Sequence, residues 1–253
     1  KIAGVGLAHV EAGLRSFDRT MPEEINRIVT DSLSSRLLTS EPSGAPTLLA
    51  EGTPPGSIHF AGNVMIDMLE RHRAGARETR AHLPRGLAPR GYALLTLHRP
   101  SNVDHPATFE RLMDAIAALA ATIPVVFPVH PRTRAALDSW AAVRGGLPRG
   151  LLVEAPLGYL EFRGLRSEAQ LGLTDSGGIQ EETTVLGVPC LTLRENTERP
   201  VTVESGTNTL VGQDPAALLE AARAILAGRG KRGRIPEGWD GSAAGRIADV
   251  IAR

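Results

Sequence analysis

A single cysteine, Cys190, stands in a chain of 253 residues. That excludes an internal disulfide framework and a cysteine-based zinc site, and it fits a reducing cytoplasm. An excess of either charge is missing too: 28 Lys and Arg balance 28 Asp and Glu. A non-specific nucleic-acid binder needs a basic surplus to neutralise phosphates, so that class is set aside. A local basic pocket for a small phosphate ligand is not excluded. No apolar run approaches the roughly 20 residues that cross a bilayer, and no signal-peptide pattern opens the chain. The G-x-G-x-x-G fingerprint of dinucleotide sites is absent, and no His/Asp/Glu spacing suggests a metal. Neither a cofactor nor a metal is expected.

What remains is 42% hydrophobic and 22% charged, a balance that supports a globular chain of two small domains or one large one. There is no initiator Met; Lys1 leads directly into the apolar run Ile2 to Val10. Its Gly4–Ala8 stretch reads as a strand buried on both faces of a parallel sheet, which would need neighbours on its edges. An edge strand that pairs only with later segments of the chain is the other reading.

Strand-like and helical patterns then alternate. In the first block, residues 22–37 read as a helix, 38–39 as a short strand, 45–50 as a helix and 58–60 as a strand. Residues 62–68 lead into a long polar helix through Arg80. After the Arg-, Gly- and Pro-rich stretch 85–91, strands are predicted at 93–97, 124–129, 150–153, 171–174, 189–193 and 208–211. Helices are predicted at 107–121, 132–142, 215–226 and 243–252, with a helical turn or two around Leu160. Such alternation implies an α/β fold, a parallel sheet with helices on both faces. The domain boundary is placed near Gly62–Asp67. That gives a first domain over 1–62, a second over 63–238 and a last helix within 239–253 that packs back on the first.

Polar residues fall just past predicted strand ends: His9 and Glu11, His98 and Arg99, His130 and Arg132, Asp175 and Ser176, and Arg194 to Arg199. In open parallel sheets ligands bind in the crevice at those ends. Asp175-Ser176-Gly177-Gly178 forms a strand-to-helix turn in which Ser176 can cap the helix. The glycines there let an anion such as a diphosphate approach the first N–H groups. Glu181 and Glu182, one turn later, could accept from a ribose diol. An ordinary capped helix with early acids explains the same residues equally well. Glu11, Glu23 and Glu24 lie near Arg15 and Arg27, and two carboxylates in different environments can divide acid and base roles. Glu24 is better read as an acid favoured at a helix start. His98 reads as a proton carrier or phosphate partner, or simply as a hydrogen-bonded filler, and His130 carries the same ambiguity.

Several motifs, in order, resemble the non-hydrolysing UDP-N-acetylglucosamine 2-epimerases. They are His9-Val10-Glu11-Ala12-Gly13-Leu14-Arg15, Pro22-Glu23-Glu24-Ile25-Asn26-Arg27, Leu97-His98-Arg99, Pro128-Val129-His130, Thr174 to Glu182, Thr197-Glu198-Arg199-Pro200 and Glu204 to Asn208. The resemblance covers essentially the whole chain, relative to which the family's amino-terminal part is absent. It implies a GT-B-like arrangement of two Rossmann-type domains, the first incomplete, with the active site in the cleft between them. It also implies reversible C2 epimerisation of UDP-GlcNAc to UDP-ManNAc through UDP elimination and re-addition, without nicotinamide or metal, in a homodimer. Carried over by motif, Glu11, Glu23 and His98 are the catalytic candidates. Arg15, Arg27, Arg99, His130, Ser176, Gly177, Glu182 and Arg199 are the substrate-binding ones. One departure is the basic run Phe162-Arg163-Gly164-Leu165-Arg166, on a helix expected to pack against the sheet. Competing readings are a GT-B glycosyltransferase, a non-catalytic UDP-binding fragment and a hydrolysing relative. The Glu11 and Glu23 pair separates the epimerase from the glycosyltransferase, which has no need of proton transfer at C2.

Overall fold

Leucine, valine and alanine occupy successive positions along the strands of this chain, so both faces of a sheet built from them demand cover. The structure is a computed structural model that describes residues 4–253. Its elements run β1 (Ala8–Val10), α1 (Pro22–Leu33), β2 (Arg36–Thr39), α2 (Gly44–Ala50), β3 (Ile58–Phe60), α3 (Val64–Arg71) and α4 (Arg73–Glu78). There follow β4 (Ala93–Thr96), α5 (Pro100–Val103), α6 (Pro106–Ala120), β5 (Val125–Pro128), α7 (Pro131–Val143), β6 (Leu151–Glu154) and α8 (Tyr159–Glu168). The chain closes with β7 (Leu171–Thr174), α9 (Gly177–Leu186), β8 (Cys190–Thr192), α10 (Pro200–Glu204), β9 (Asn208–Leu210), α11 (Pro215–Ala224) and α12 (Ala243–Ile251).

Several elements differ from the sequence pattern, and the short helices α5 and α10 have no counterpart in it. The first strand is Ala8–Val10, not Gly4–Ala8: Gly4 takes a left-handed φ of 70°, and Val5 is 71% exposed. Ile2 and Ala3 lie outside the described residues. The first helix stops at Leu33, because Ser34 turns extended and the Ser35 hydroxyl donates to the Leu7 carbonyl, which starts β2 early. The long polar helix is two, α3 and α4, interrupted at His72, whose ψ is 5°. The turn around Leu160 is a full ten-residue helix.

Two compact units emerge. The first holds the described residues through Arg71 with Thr197–Gly206 and Ile235–Arg253, and the second holds His72–Asn196 and Thr207–Arg234. Residues 63–71, 197–206 and 235–238, which the sequence pattern assigns to the second domain, thus cluster with the first sheet. Within the first unit the strands order β1-β2-β3, all parallel. The Trp239 indole is buried and donates to the Ser40 carbonyl at 2.9 Å. Asp67 on α3 accepts from the first two N–H groups of α12 at 3.0 and 2.7 Å, so a carboxylate from another helix caps its positive end.

The turn after β1 depends on Gly13, which has a φ of 79° and would place a Cβ 2.4 Å from the Gly44 carbonyl oxygen. Gly13→Ala therefore combines backbone strain with a backbone clash, and is expected to destabilise the first unit by more than about 2 kcal/mol. Urea unfolding of the variant checks this.

In the second unit the strand order is β6-β5-β4-β7-β8-β9, again all parallel. The chain begins in the middle, winds outward to β6, then crosses back to β7 on the other side of β4. That is the doubly wound order, with its switch point between β4 and β7. Ala93, Leu95, Val125 and Phe127 face a core shared with α6 and α11, whereas Leu94 and Val126 face Leu165 of α8. The sheet is thereby covered on both sides, leaving the strand ends as the natural place for polar chemistry.

Candidate functional site

Thr96 ends β4 and Thr174 ends β7, and their hydroxyls meet at 2.7 Å across the switch point. The chain beyond each strand converges on one carboxylate. Asp175 has no solvent exposure; it accepts from the His98 and Arg99 backbone N–H groups at 2.9 and 2.8 Å and from the Asn102 amide at 3.2 Å. The His98 Nδ1 lies 2.9 Å from its other oxygen. Burial alone would raise the Asp175 pKa, but the bonds from His98 and Arg99 outweigh it and hold the group below the usual carboxylate range. An ionised partner keeps a proton on Nδ1 and leaves Nε2 for other chemistry. The sequence placed Asp175 at a strand end without marking it as a site residue; its pairing with His98 depends on a strand order that cannot be read locally.

Next to this pair stands the N-terminus of α9. Ser176 occupies the cap position with extended backbone, yet its hydroxyl makes no capping bond, contrary to the sequence expectation. Its own N–H donates instead to the Thr174 hydroxyl at 3.0 Å. A Cβ added at Gly178 would meet nothing within 4 Å. The first turn of the helix is thus open to an anion, with the helix field favouring one. His130 is exposed at the start of α7, with its ring centroid 5.7 Å from that of His98. Arg99 donates Nε to the Asp175 carbonyl at 3.0 Å.

Glu182 is buried one turn further along α9. Arg163 donates to one of its oxygens at 3.2 Å and Arg166 to the other, both from α8. The basic run noted in the sequence therefore serves as a two-arginine clamp. The guanidinium of Arg163 also stacks 4.2 Å over the Tyr159 ring. Burial, then repulsion from Arg163, pushes Arg166 below the usual arginine range.

Within the first unit, Glu11 has a left-handed φ of 67° just past β1, and its carboxylate accepts from Arg199 at 3.1 Å. Arg27 lies 3.5 Å from both Glu24 and Glu198. The Thr197–Gly206 segment thus brings Glu198 and Arg199 to Arg27 and Glu11. Glu23 is exposed in the first turn of α1. Its neighbour Glu24 is buried and accepts from the Ser16 and Phe17 N–H groups, both at 2.9 Å. It braces a turn, as more than a dipole-favoured acid. Arg15 is turned inward: it donates to Asp31 at 2.6 Å, to both oxygens of Glu51 and to the Leu14 carbonyl. Asp31 also takes the His9 Nδ1 at 2.5 Å. Its burial is outweighed by these bonds, and its pKa is lowered.

Sequence reasoning missed Glu41, which lies fully buried just past β2 and accepts from the Ser43 hydroxyl at 2.5 Å. Burial raises its pKa, against that bond and the attraction of Arg199. A carboxyl with a raised folded pKa holds its proton longer than the unfolded chain does. Its contribution to stability therefore falls as pH climbs from the unfolded value, 4.5, through the folded one. Glu41→Gln is expected to melt higher than the parent above that window and to match it below, as a thermal scan across pH 4–8 would show.

Among the described residues, no group of three His, Cys, Asp or Glu is placed to hold a metal ion. No described helix is long and apolar enough to cross a membrane.

A sequence model of the family described as UDP-N-acetylglucosamine 2-epimerase matches residues 1–252. The chain belongs to that family. It is 39% identical over 88% of its length to the UDP-N-acetylglucosamine 2-epimerase of Methanococcus maripaludis, and it spans 63% of that protein. It is 40% identical over 98% of its length to a UDP-2,3-diacetamido-2,3-dideoxy-D-glucuronate 2-epimerase of Pseudomonas aeruginosa, of which it spans 68%. A crystal structure of the Methanocaldococcus jannaschii UDP-GlcNAc 2-epimerase, in complex with UDP-GlcNAc and UDP, superposes with a TM-score of 0.89. The identity there is 38%, covering 99% of this chain and 70% of that one. The α/β, GT-B-like fold expected from the motifs is thereby established for this member of the epimerase family. In this 2-epimerase-family chain, His98, Arg99, His130, Ser176 and Gly177 gather along the end of the second sheet. Glu11, Arg27 and Arg199 gather in the first unit, while Arg15 braces a turn beside them.

Proposed function

We propose that this chain serves the reversible inversion of UDP-GlcNAc at C2, giving UDP-ManNAc. The observation that carries the reading is the Asp175–His98 pair beside the open N-terminus of α9, at the switch point of a doubly wound sheet. In this reading Ser176, Gly177, His130 and Arg99 receive the diphosphate, and Glu182 accepts from the ribose. Two of the roughly four lone-pair positions of Glu182 are taken by its arginines, which leaves acceptor capacity. The C1–O bond breaks and UDP leaves with the electron pair. Helix N–H groups and a proton on His98 answer the charge that develops on the diphosphate. The C2 proton passes to one carboxylate, and a C1–C2 double bond forms. UDP then adds back at C1 while a proton reaches C2 on the opposite face. Glu11 and Glu23 are assigned these two proton transfers, their environments differing as the roles require: Glu11 is paired with Arg199, and Glu23 is exposed. Arg27 and Arg199 set the charge around Glu11. A cytoplasmic location and a homodimer belong to the same reading.

Similarity to a UDP-2,3-diacetamido-2,3-dideoxy-D-glucuronate 2-epimerase makes a different UDP sugar the natural competing substrate. Incubation with each sugar nucleotide, followed by proton NMR, separates the cases. UDP-ManNAc from UDP-GlcNAc supports the proposal. Turnover of the diacetamido uronate alone would move the substrate assignment, and release of free ManNAc would make the chain a hydrolysing relative. Transfer of the sugar to an acceptor without C2 inversion would make it a glycosyltransferase.

A further inference from the structure

β7, β8 and β9 start at Leu171, Cys190 and Asn208, on the edge of the second sheet opposite His98 and Asp175. There a cavity of about 350 Å³ opens against Gln170, Pro189 and Thr207, the residues immediately before those strands. Its other walls are Gly187 at the end of α9, the segment after α11 and Arg90. Three lining side chains are cations, Arg90, Lys231 and Arg232, and none is acidic. The chain as a whole is neutral, yet the loop Gly228-Arg229-Gly230-Lys231-Arg232-Gly233-Arg234 carries four cations and no anion. Its glycines bring bare backbone to the cavity wall, Gly228 with a left-handed φ of 76°.

Arg90 comes from a distant segment. It holds a left-handed φ of 58°, a conformation uncommon outside glycine, with Gly91 available beside it. Such outliers persist where the surroundings over-determine them, and they cluster at ligand sites. One of its five donors is fixed on the Ala169 carbonyl at 3.0 Å. Lys231 is anchored on the Asn208 carbonyl at 3.3 Å, and partial burial lowers its pKa, a cost that a bound anion would offset. Arg90 also complements the carbonyl end of α8, and the loop cations follow the end of α11 in sequence. That role alone does not require them to line one acid-free cavity from two separate segments.

We propose that this cavity is a second anion site, taking a small polyphosphate such as pyrophosphate or a nucleotide diphosphate. Its volume falls at the small end of the range for organic-ligand pockets. That leaves a single phosphate loosely held and offers a macromolecular polyanion no extended track. The site lies apart from the catalytic strand ends and does not depend on the epimerase reading.

The test is amide NMR of the whole chain at low ionic strength, with inorganic pyrophosphate added. Shifts at Gly228–Gly233 and Arg90 are expected, weakening as salt rises. A Lys231→Glu/Arg232→Glu variant is expected to lose at least about tenfold in pyrophosphate affinity there. The dispersed amide signals of β4, β5 and β7 should be unchanged in that variant, which shows that the unit is folded. Lys231→Arg is expected to retain binding. Absence of pyrophosphate shifts in the parent chain, or equal shifts in the charge-reversed variant, would overturn the proposal and leave these cations as helix-end complements only.

Discussion

Glu182→Ala is expected to destabilise the second unit by about 3–5 kcal/mol, because it strands two buried arginines. Both Arg163 and Arg166 are nearly inaccessible, and each donates to a different oxygen of this one carboxylate. Without it, two like charges face each other in a low-dielectric interior, where Arg166 is already disfavoured as a cation. Water cannot enter freely to compensate. A control separates the loss of the ion pairs from the loss of volume. Replacing all three with apolar residues of similar size is expected to be neutral or stabilising by about 1–4 kcal/mol, as buried ion clusters often behave. Urea unfolding of the single and triple variants, followed by a probe in the second unit, reads both outcomes. A small effect from Glu182→Ala would mean that the arginines find other partners.

Asp175→Asn is expected to lower C2 inversion by about 10²–10⁴-fold, the range associated with a misplaced general acid or base. An amide keeps the shape, and its oxygen can still accept from the His98 and Arg99 backbone N–H groups and from Asn102, but its NH2 then faces His98 Nδ1, where the carboxylate's second oxygen had accepted. It also ceases to hold a proton on Nδ1. His98→Ala should fall to a similar level, and the double variant should fall little further, because the two act as one unit. Stability should change with pH as well. The folded pKa of Asp175 lies below its unfolded value of 3.8. The stability it contributes is therefore complete above that value and is lost as pH falls through the folded one. Asp175→Asn should remove that part of acid unfolding, leaving the part due to other carboxylates held low, the buried Asp31 among them.

The α/β fold was legible because apolar runs of four to six residues alternated with helical spacing, and the strand-end clustering of polar residues coincides with the end of the second sheet where His98, Asp175 and Ser176 lie. Register with neighbours was not legible. Ser34 and Ser35 gave no local sign that their hydroxyls would end α1 and hand Arg36 and Leu37 to β2. The Asp175–His98 pair needed the 3-2-1-4-5-6 type of strand order, which places β4 beside β7 across two intervening strands of sequence. Arg163 and Arg166 stood out as misplaced charge on a packed helix, but their partner was visible only once α8 lay beside α9. Arg15 shows the opposite case. A basic residue within a recognisable motif invites a ligand role, and its donors turn to Asp31 and Glu51.

The most direct test of the central claim is to place the chain in deuterated water with UDP-GlcNAc and follow C2 by NMR. Elimination and re-addition predict deuterium at C2 together with the rise of UDP-ManNAc, and loss of both in Glu23→Gln. Retention of the C2 proton while UDP still binds would contradict the account and leave a nucleotide-binding chain without the proton chemistry.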